Sequence, residues 1–133
     1  KAACANALAV AEFLTRQSSA REVRYPGLGT HPDHELAKRQ LGNQFGAIVT
    51  FDLVGGMPAA EQFISSVAND IPFCPSLGEV STTLSHPAST SHRNQSAQQQ
   101  ATLGISEGTL RLSVGTESAE FILAALERGL AAF

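Results

Sequence analysis

The sequence predicts an α+β fold, a two-layer sandwich in which a small mixed or antiparallel sheet carries helices on one face. Three observations predict it. Apolar residues recur at helical spacing in some segments and alternate strictly in others, and the two kinds of segment interleave along the chain. The strand-like segments are short and apolar on one side only, the pattern of a sheet with one packed face and one polar face. No internal repeat and no dividing linker interrupts them, so residues 1–133 read as a single domain.

Each element follows in order. Residues 2–17 read as a helix, because Ala7, Val10, Ala11 and Leu14 recur at i, i+3, i+4 and i+7. Glu22 to Tyr25 reads as a short strand, ended by Pro26-Gly27. Thr30 is placed to cap a helix that opens at His31-Pro32-Asp33, with proline in its first turn, and stops at Gly42. Ala47, Val49, Phe51 and Leu53 alternate with Ile48, Thr50 and Asp52, which predicts a strand. Gly55-Gly56 turns the chain into a helix over 58–67 with Ala60, Phe63, Ile64 and Val67 on one face.

Two short strands, 71–74 and 80–85, flank Pro75-Ser76-Leu77-Gly78, and a polar stretch follows over 86–95. Ser96 with Gln99 predicts a capping box for a short helix ending at Gly104, with Gln98, Gln99 and Gln100 on a solvated face. Thr109 to Val114 reads as a strand, and a last helix over 118–130 buries Ile122, Leu123, Leu126 and Leu130. The outer sheet face then carries Arg24, Thr50, Asp52, Thr109, Arg111 and Ser113, open to water or to a second domain.

Composition narrows the function. Hydrophobic residues are 43% and charged residues 16%, a globular balance, and the net charge of −3 with no basic stripe argues against nucleic acid as a partner. No apolar run approaches a membrane span, and Asn6 and Glu12 interrupt the Ala-rich opening that a signal peptide would need. Cys4 and Cys74 build neither a disulfide framework nor a zinc site, and read as small buried hydrophobes in a reducing compartment, the cytoplasm. The chain opens at Lys1 on a helix already under way, which predicts a piece of something longer.

Arg111 is the strongest candidate site residue. It projects between Thr109 and Ser113 from a strand whose Leu110, Leu112 and Val114 share the opposite face. A guanidinium held on a rigid strand suits bidentate capture of a carboxylate; the same pattern also describes an exposed arginine on a half-solvated sheet. Ser76 sits in a tight junction whose backbone groups need local or ligand partners. No Gly-x-Ser-x-Gly elbow surrounds it, so a hydrolase triad has no support. His31 and His34 straddle Pro32 at a helix start, His86 and His92 are six apart, and no further ligands stand at matching spacing, so no metal site is predicted. The two lysines, Lys1 and Lys38, are terminal and on a polar helix face, neither in the apolar setting that activates a Schiff-base amine.

Val23-Arg24-Tyr25-Pro26-Gly27-Leu28, then His31-Pro32-Asp33-His34, Leu36-Ala37 and Gln40, resemble the small-domain opening of the Cys/Met metabolism family of pyridoxal-phosphate enzymes, the transsulfuration group. The resemblance continues through Gly46 to Phe51, Ser76-Leu77-Gly78, His86-Pro87-Ala88-Ser89, His92, Gly104-Ile105, and Arg111-Leu112-Ser113-Val114-Gly115 with Glu117. Each motif alone is weak; in this order and spacing, from first helix to last, they are specific.

The resemblance implies the C-terminal small domain of a fold-type-I pyridoxal-phosphate enzyme, with the large cofactor-binding domain absent from this chain. It implies that Arg111 binds the substrate α-carboxylate, that Ser76 lines the same pocket, and that Ser91 lies at its mouth. The substrate class is a sulfur-containing or O-activated homoserine-type amino acid, undergoing γ-replacement or elimination. Pyridoxal phosphate serves the full-length enzyme, a homotetramer in this family, and none is expected on this chain, which is inactive alone. Two departures, Pro75 before the serine and Ser81 where the family often has glutamate, leave open cystathionine synthesis, sulfhydrylation and γ-lysis. The reading from a different class is a free-standing small-molecule-binding or interaction domain. If the polar sheet face is bare, weak self-association follows.

Overall fold

The computed structural model describes residues 1–74, 80–131 and 133. Helix α1 (Ala2–Thr15) leads to strand β1 (Ala20–Arg24), then α2 (His34–Leu41), β2 (Ile48–Leu53) and α3 (Gly56–Val67). Strand β3 (Thr83–Ser85) is followed by a 3₁₀ turn (Pro87–Ser89), α4 (Ala97–Thr102), β4 (Thr109–Ser113) and α5 (Ala119–Leu130). The four strands form one antiparallel sheet in the order β1-β2-β4-β3. Beyond β3 a single parallel bridge joins Phe73 to Leu84, so the sheet is mixed at that edge.

Alternation builds the core. Val49, Phe51 and Leu53 of β2, Leu84 of β3, and Leu110 and Leu112 of β4 all point into the helical layer and are buried. Helix α1 meets them with Ala7, Val10, Ala11 and Leu14, the four residues its periodicity predicts. Helices α3 and α5 complete the layer with Phe63, Val67, Ile122 and Leu126, while α2 and α4 bury no residue. Gly129 lets α5 approach α3 closely, since a Cβ there would stand 2.7 Å from both Phe63 and Val67. The predicted capping box forms, with Gln99 N–H donating to Ser96 Oγ at 3.2 Å and Ser96 N–H to Gln99 Oε1 at 2.8 Å, and Ser118 Oγ caps α5 by accepting from Phe121 N–H at 3.2 Å.

Several boundaries differ from the sequence reading, each for a local reason. Strand β1 stops before Tyr25, after a bulge at which Glu22 takes φ 51° and the register shifts between Arg21 and Arg24. Tyr25 turns into the core instead, donating its hydroxyl to Gly46 O at 2.9 Å, with Cys4 O at 3.3 Å. Helix α2 starts at His34, not His31, and Thr30 does not cap it: Asp33 N–H donates to the His31 ring Nδ1 at 3.0 Å and closes a turn ahead of the helix. Residues 80–82 lie outside β3, because the Glu117 carboxylate takes both Thr82 N–H (2.8 Å) and Thr82 Oγ1–H (2.9 Å). Residues 71–74 contribute the one bridge rather than a strand. Cys4 and Cys74 are free and half-buried, not core residues.

Burial pushes the Tyr25 hydroxyl up from 10.0 to about 12, with a smaller contribution from Cys4. The folded state therefore holds this proton more tightly than the unfolded chain. Its contribution is complete below pH 10 or so and is lost as pH rises toward about 12. Urea midpoints of the wild type are expected to fall through that window. Tyr25→Phe should lose about 1 kcal/mol at neutral pH and show a shallower alkaline fall. Parallel pH profiles for the two proteins would refute this.

Candidate functional site

The outer sheet face is polar by alternation, but it is not open. Asp52, Thr109, Ser113 and Ser85 on it are all buried. The segment from His86 to Ile105 folds back over the strands and roofs them. This corrects the expectation of a bare face, and with it the premise for self-association.

His86 sets the roof. It is buried, its Nε2 lies 2.6 Å from Glu107 O, and its Nδ1 lies 2.7 Å from Ser89 Oγ. A carbonyl only accepts, so Nε2 donates its proton to Glu107 O, and Nδ1 is hydrogen-bonded to Ser89 Oγ. Thr90 Oγ1 donates to His86 O at 2.7 Å, and His92 N–H to Pro87 O at 2.9 Å. Gln100 is not simply a solvated residue: its amide donates to Ala88 O (3.2 Å) and His92 O (2.8 Å), tying α4 to the same turn.

Beneath this roof the register lines up a row of polar side chains across the sheet. Arg24 of β1 pairs with Thr50 of β2, Thr50 pairs with Arg111 of β4, and Arg111 pairs with Ser85 of β3. One step along, Asp52 Oδ1 accepts from Arg24 Nη2 at 2.9 Å and from Thr109 Oγ1 at 2.6 Å. Arg111 is half-buried, and among the described residues its guanidinium has no hydrogen bond or ion pair. A cavity of about 240 Å³ lies between row and roof, lined by Arg24, Thr50, Thr109 and Arg111 below and by Pro87, Ser91, His92 and Leu103–Ile105 above.

The structure thus brings Arg111 and Ser91 to one cavity, with Ser91 Oγ exposed and 2.7 Å from His92 Nδ1. Ser76, and Pro75 beside it, lie outside the described residues. Arg24 and His92 line the same space, a role that sequence pattern alone does not give them. Alternation puts Arg24 on the polar face, but only the strand order shows that it shares a row with Arg111. The other histidines have local partners: His34 Nδ1 donates to Pro26 O at 2.8 Å and its ring stacks on Phe45. Among the described residues no three His, Cys, Asp or Glu side chains gather to hold a metal, and no helix is long and apolar enough to cross a membrane.

The cavity does not suit pyridoxal phosphate by itself. That cofactor needs an amine to anchor its aldehyde, yet Lys1 and Lys38 are exposed and neither lines the cavity.

The chain matches the Cys/Met metabolism PLP-dependent enzyme family over residues 1–131. It is 42% identical over 130 residues to an L-methionine gamma-lyase of Fusobacterium nucleatum subsp. polymorphum, covering 96% of this chain and 32% of the relative. It is 44% identical over 128 residues to an O-succinylhomoserine sulfhydrylase of Pseudomonas aeruginosa, covering 96% and 31%. Its fold superposes on the crystal structure of cystathionine gamma synthase from Xanthomonas oryzae pv. oryzae in complex with cystathionine, with a TM-score of 0.90 at 42% identity, over 98% of this chain and 33% of that one. The chain spans about a third of the length of these relatives.

Proposed function

Because this chain belongs to the Cys/Met metabolism PLP-dependent enzyme family, we propose that it is the substrate-carboxylate-binding, C-terminal small domain of such an enzyme. Its substrate would be a sulfur-containing or O-activated homoserine-type amino acid. The observation that carries this is Arg111: a half-buried guanidinium on a central strand, facing a small cavity, with its donors uncommitted among the described residues. A planar fork in that setting captures a carboxylate through two parallel hydrogen bonds. Fixing the α-carboxylate fixes where the α-amine and the side chain point, and such positioning supplies much of the rate enhancement. Ser91, hydrogen-bonded to His92, adds a hydroxyl at the rim. Ser76 is assigned to the same carboxylate pocket on the resemblance alone.

Pyridoxal phosphate supplies an electron sink for chemistry at the substrate's α-carbon. With no lysine at the cavity, we assign its anchoring to the large domain outside this chain. We place the enzyme in the cytoplasm as a homotetramer; a full-length mass by light scattering other than four subunits would revise the assembly. The purified 133-residue chain, supplied with pyridoxal phosphate and L-methionine or O-succinyl-L-homoserine, is expected to release no 2-oxo acid. Measurable release would show that this domain carries chemistry of its own.

A further inference from the structure

We propose that His92 is a positioning residue for the substrate carboxylate: its ring Nδ1 holds the Ser91 hydroxyl at the cavity rim and leaves the hydroxyl proton free to be donated to the bound carboxylate. This rests on Arg111 holding the α-carboxylate, as proposed above.

The Ser91 hydroxyl has one anchor. Among the described residues its only hydrogen bond runs to His92 Nδ1, at 2.7 Å, and Ser91 is exposed in a turn outside any helix or strand. A serine hydroxyl there takes whichever rotamer its partner sets. His92 itself is fixed. Its N–H donates to Pro87 O at 2.9 Å, and its carbonyl accepts from Gln95 N–H at 3.1 Å and from the Gln100 amide at 2.8 Å. Those bonds tie it to the 3₁₀ turn and to α4, and it lines the cavity beside Ser91 and across from Arg111.

The direction of the Ser91–His92 hydrogen bond follows from what the cavity holds. A carboxylate offers only acceptors, so Ser91 adds to its binding only by donating, and a hydroxyl has one proton to give. If Nδ1 took that proton, the serine oxygen would turn its lone pairs on the anion. With the ring proton on Nδ1, the imidazole donates to Ser91 Oγ and the Ser91 O–H is left for the carboxylate. A hydroxyl that accepts one hydrogen bond is polarised to donate the next.

The ring is free to take that form. His92 Nε2 makes no hydrogen bond among the described residues, so no partner holds the proton on the far nitrogen. His86 is the contrast: the Glu107 carbonyl fixes its proton on Nε2. The two histidines of the roof thus divide the work, His86 holding the turn and His92 aiming the hydroxyl.

The test uses the full-length enzyme with bound cofactor, with L-methionine and O-succinyl-L-homoserine as probes. Every His92 variant keeps the backbone bonds of the roof, so each is expected to fold, and melting temperatures check this. An asparagine amide nitrogen stands near the place of Nδ1, and a glutamine amide nitrogen near that of Nε2. His92→Asn is therefore expected to keep KM within about threefold of the wild type, whereas His92→Gln and His92→Phe raise it about tenfold with kcat little changed, as loss of one hydrogen bond to a charged group predicts. Ser91→Ala should raise KM by the same factor. Adding His92→Phe to it should cost nothing further, because His92 acts through Ser91 alone. Equal harm from asparagine and glutamine, multiplied effects in the double variant, or an unchanged KM in folded His92→Phe or Ser91→Ala each overturns the positioning role. Arg111→Ala with unaltered kcat/KM on both probes overturns instead the α-carboxylate reading beneath it.

Discussion

Replacing Arg111 with alanine in the full-length enzyme is expected to lower kcat/KM about 30-fold to several thousand-fold. Truncating one side of a desolvated, hydrogen-bonded charge pair costs about 2–5 kcal/mol. Arg111→Lys should be nearly as damaging, because an ammonium keeps the charge but not the two-pronged geometry. The melting temperature should move little, since the guanidinium makes no hydrogen bond or ion pair with the described residues. A substrate methyl ester separates the explanations: the wild type should discriminate against it, and Arg111→Ala should not. Full activity in either Arg111 variant would remove this residue from the site.

Phe63→Ala is expected to destabilise the chain by about 3–5 kcal/mol, the range for deleting a buried phenyl ring. That is a large part of the roughly 5–15 kcal/mol that holds a typical domain. Phe63 is fully buried and meets Phe51 edge-on, with ring centroids 5.9 Å apart at 78°. It also lies directly under Gly129. Gly129→Ala alone should therefore be destabilising, because overpacking of about 1–3 kcal/mol outweighs a helix-propensity gain near 1 kcal/mol. In the Phe63→Ala background the added methyl has room, and Gly129→Ala should become neutral or stabilising. Urea midpoints for the four proteins check this. Strictly additive midpoints would mean that the α3–α5 contact does not depend on close approach at Gly129.

The legible parts of this fold are those whose signal is local. Val49, Phe51 and Leu53 alternate with Ile48, Thr50 and Asp52, and β2 follows directly. Ser96 and Gln99 stand three apart, and the capping box forms. Arg111 is the one charged residue on the polar side of the Thr109–Val114 alternation, and that place marks it as a candidate. The roof is not legible, because residues 86–95 have no periodicity and their conformation depends on a buried His86 reaching Glu107, 21 residues away. The partnership of Arg24 and Arg111 is hidden for a related reason. It depends on both strands flanking β2, and nothing local in the sequence states which strand lies beside which. Helix α2 is shorter than its pattern suggests. Pro32 suits a first helical turn, but the side chain of His31 captures the Asp33 amide and makes a separate turn.

The order β1-β2-β4-β3 places the last strand of the chain inside the sheet, between two strands made earlier. On the ribosome, β2 and β3 thus leave the exit tunnel long before the partner that fills the gap between them. At about 5–20 residues per second the wait lasts seconds. A nascent chain stalled before Thr109 carries two unpaired strand edges and lacks Arg111. Such edges invite pairing with other chains. Messages truncated upstream of this strand are expected to yield insoluble product, whereas a chain extended past Ser113 inserts β4, and with it Arg111, between edges already made.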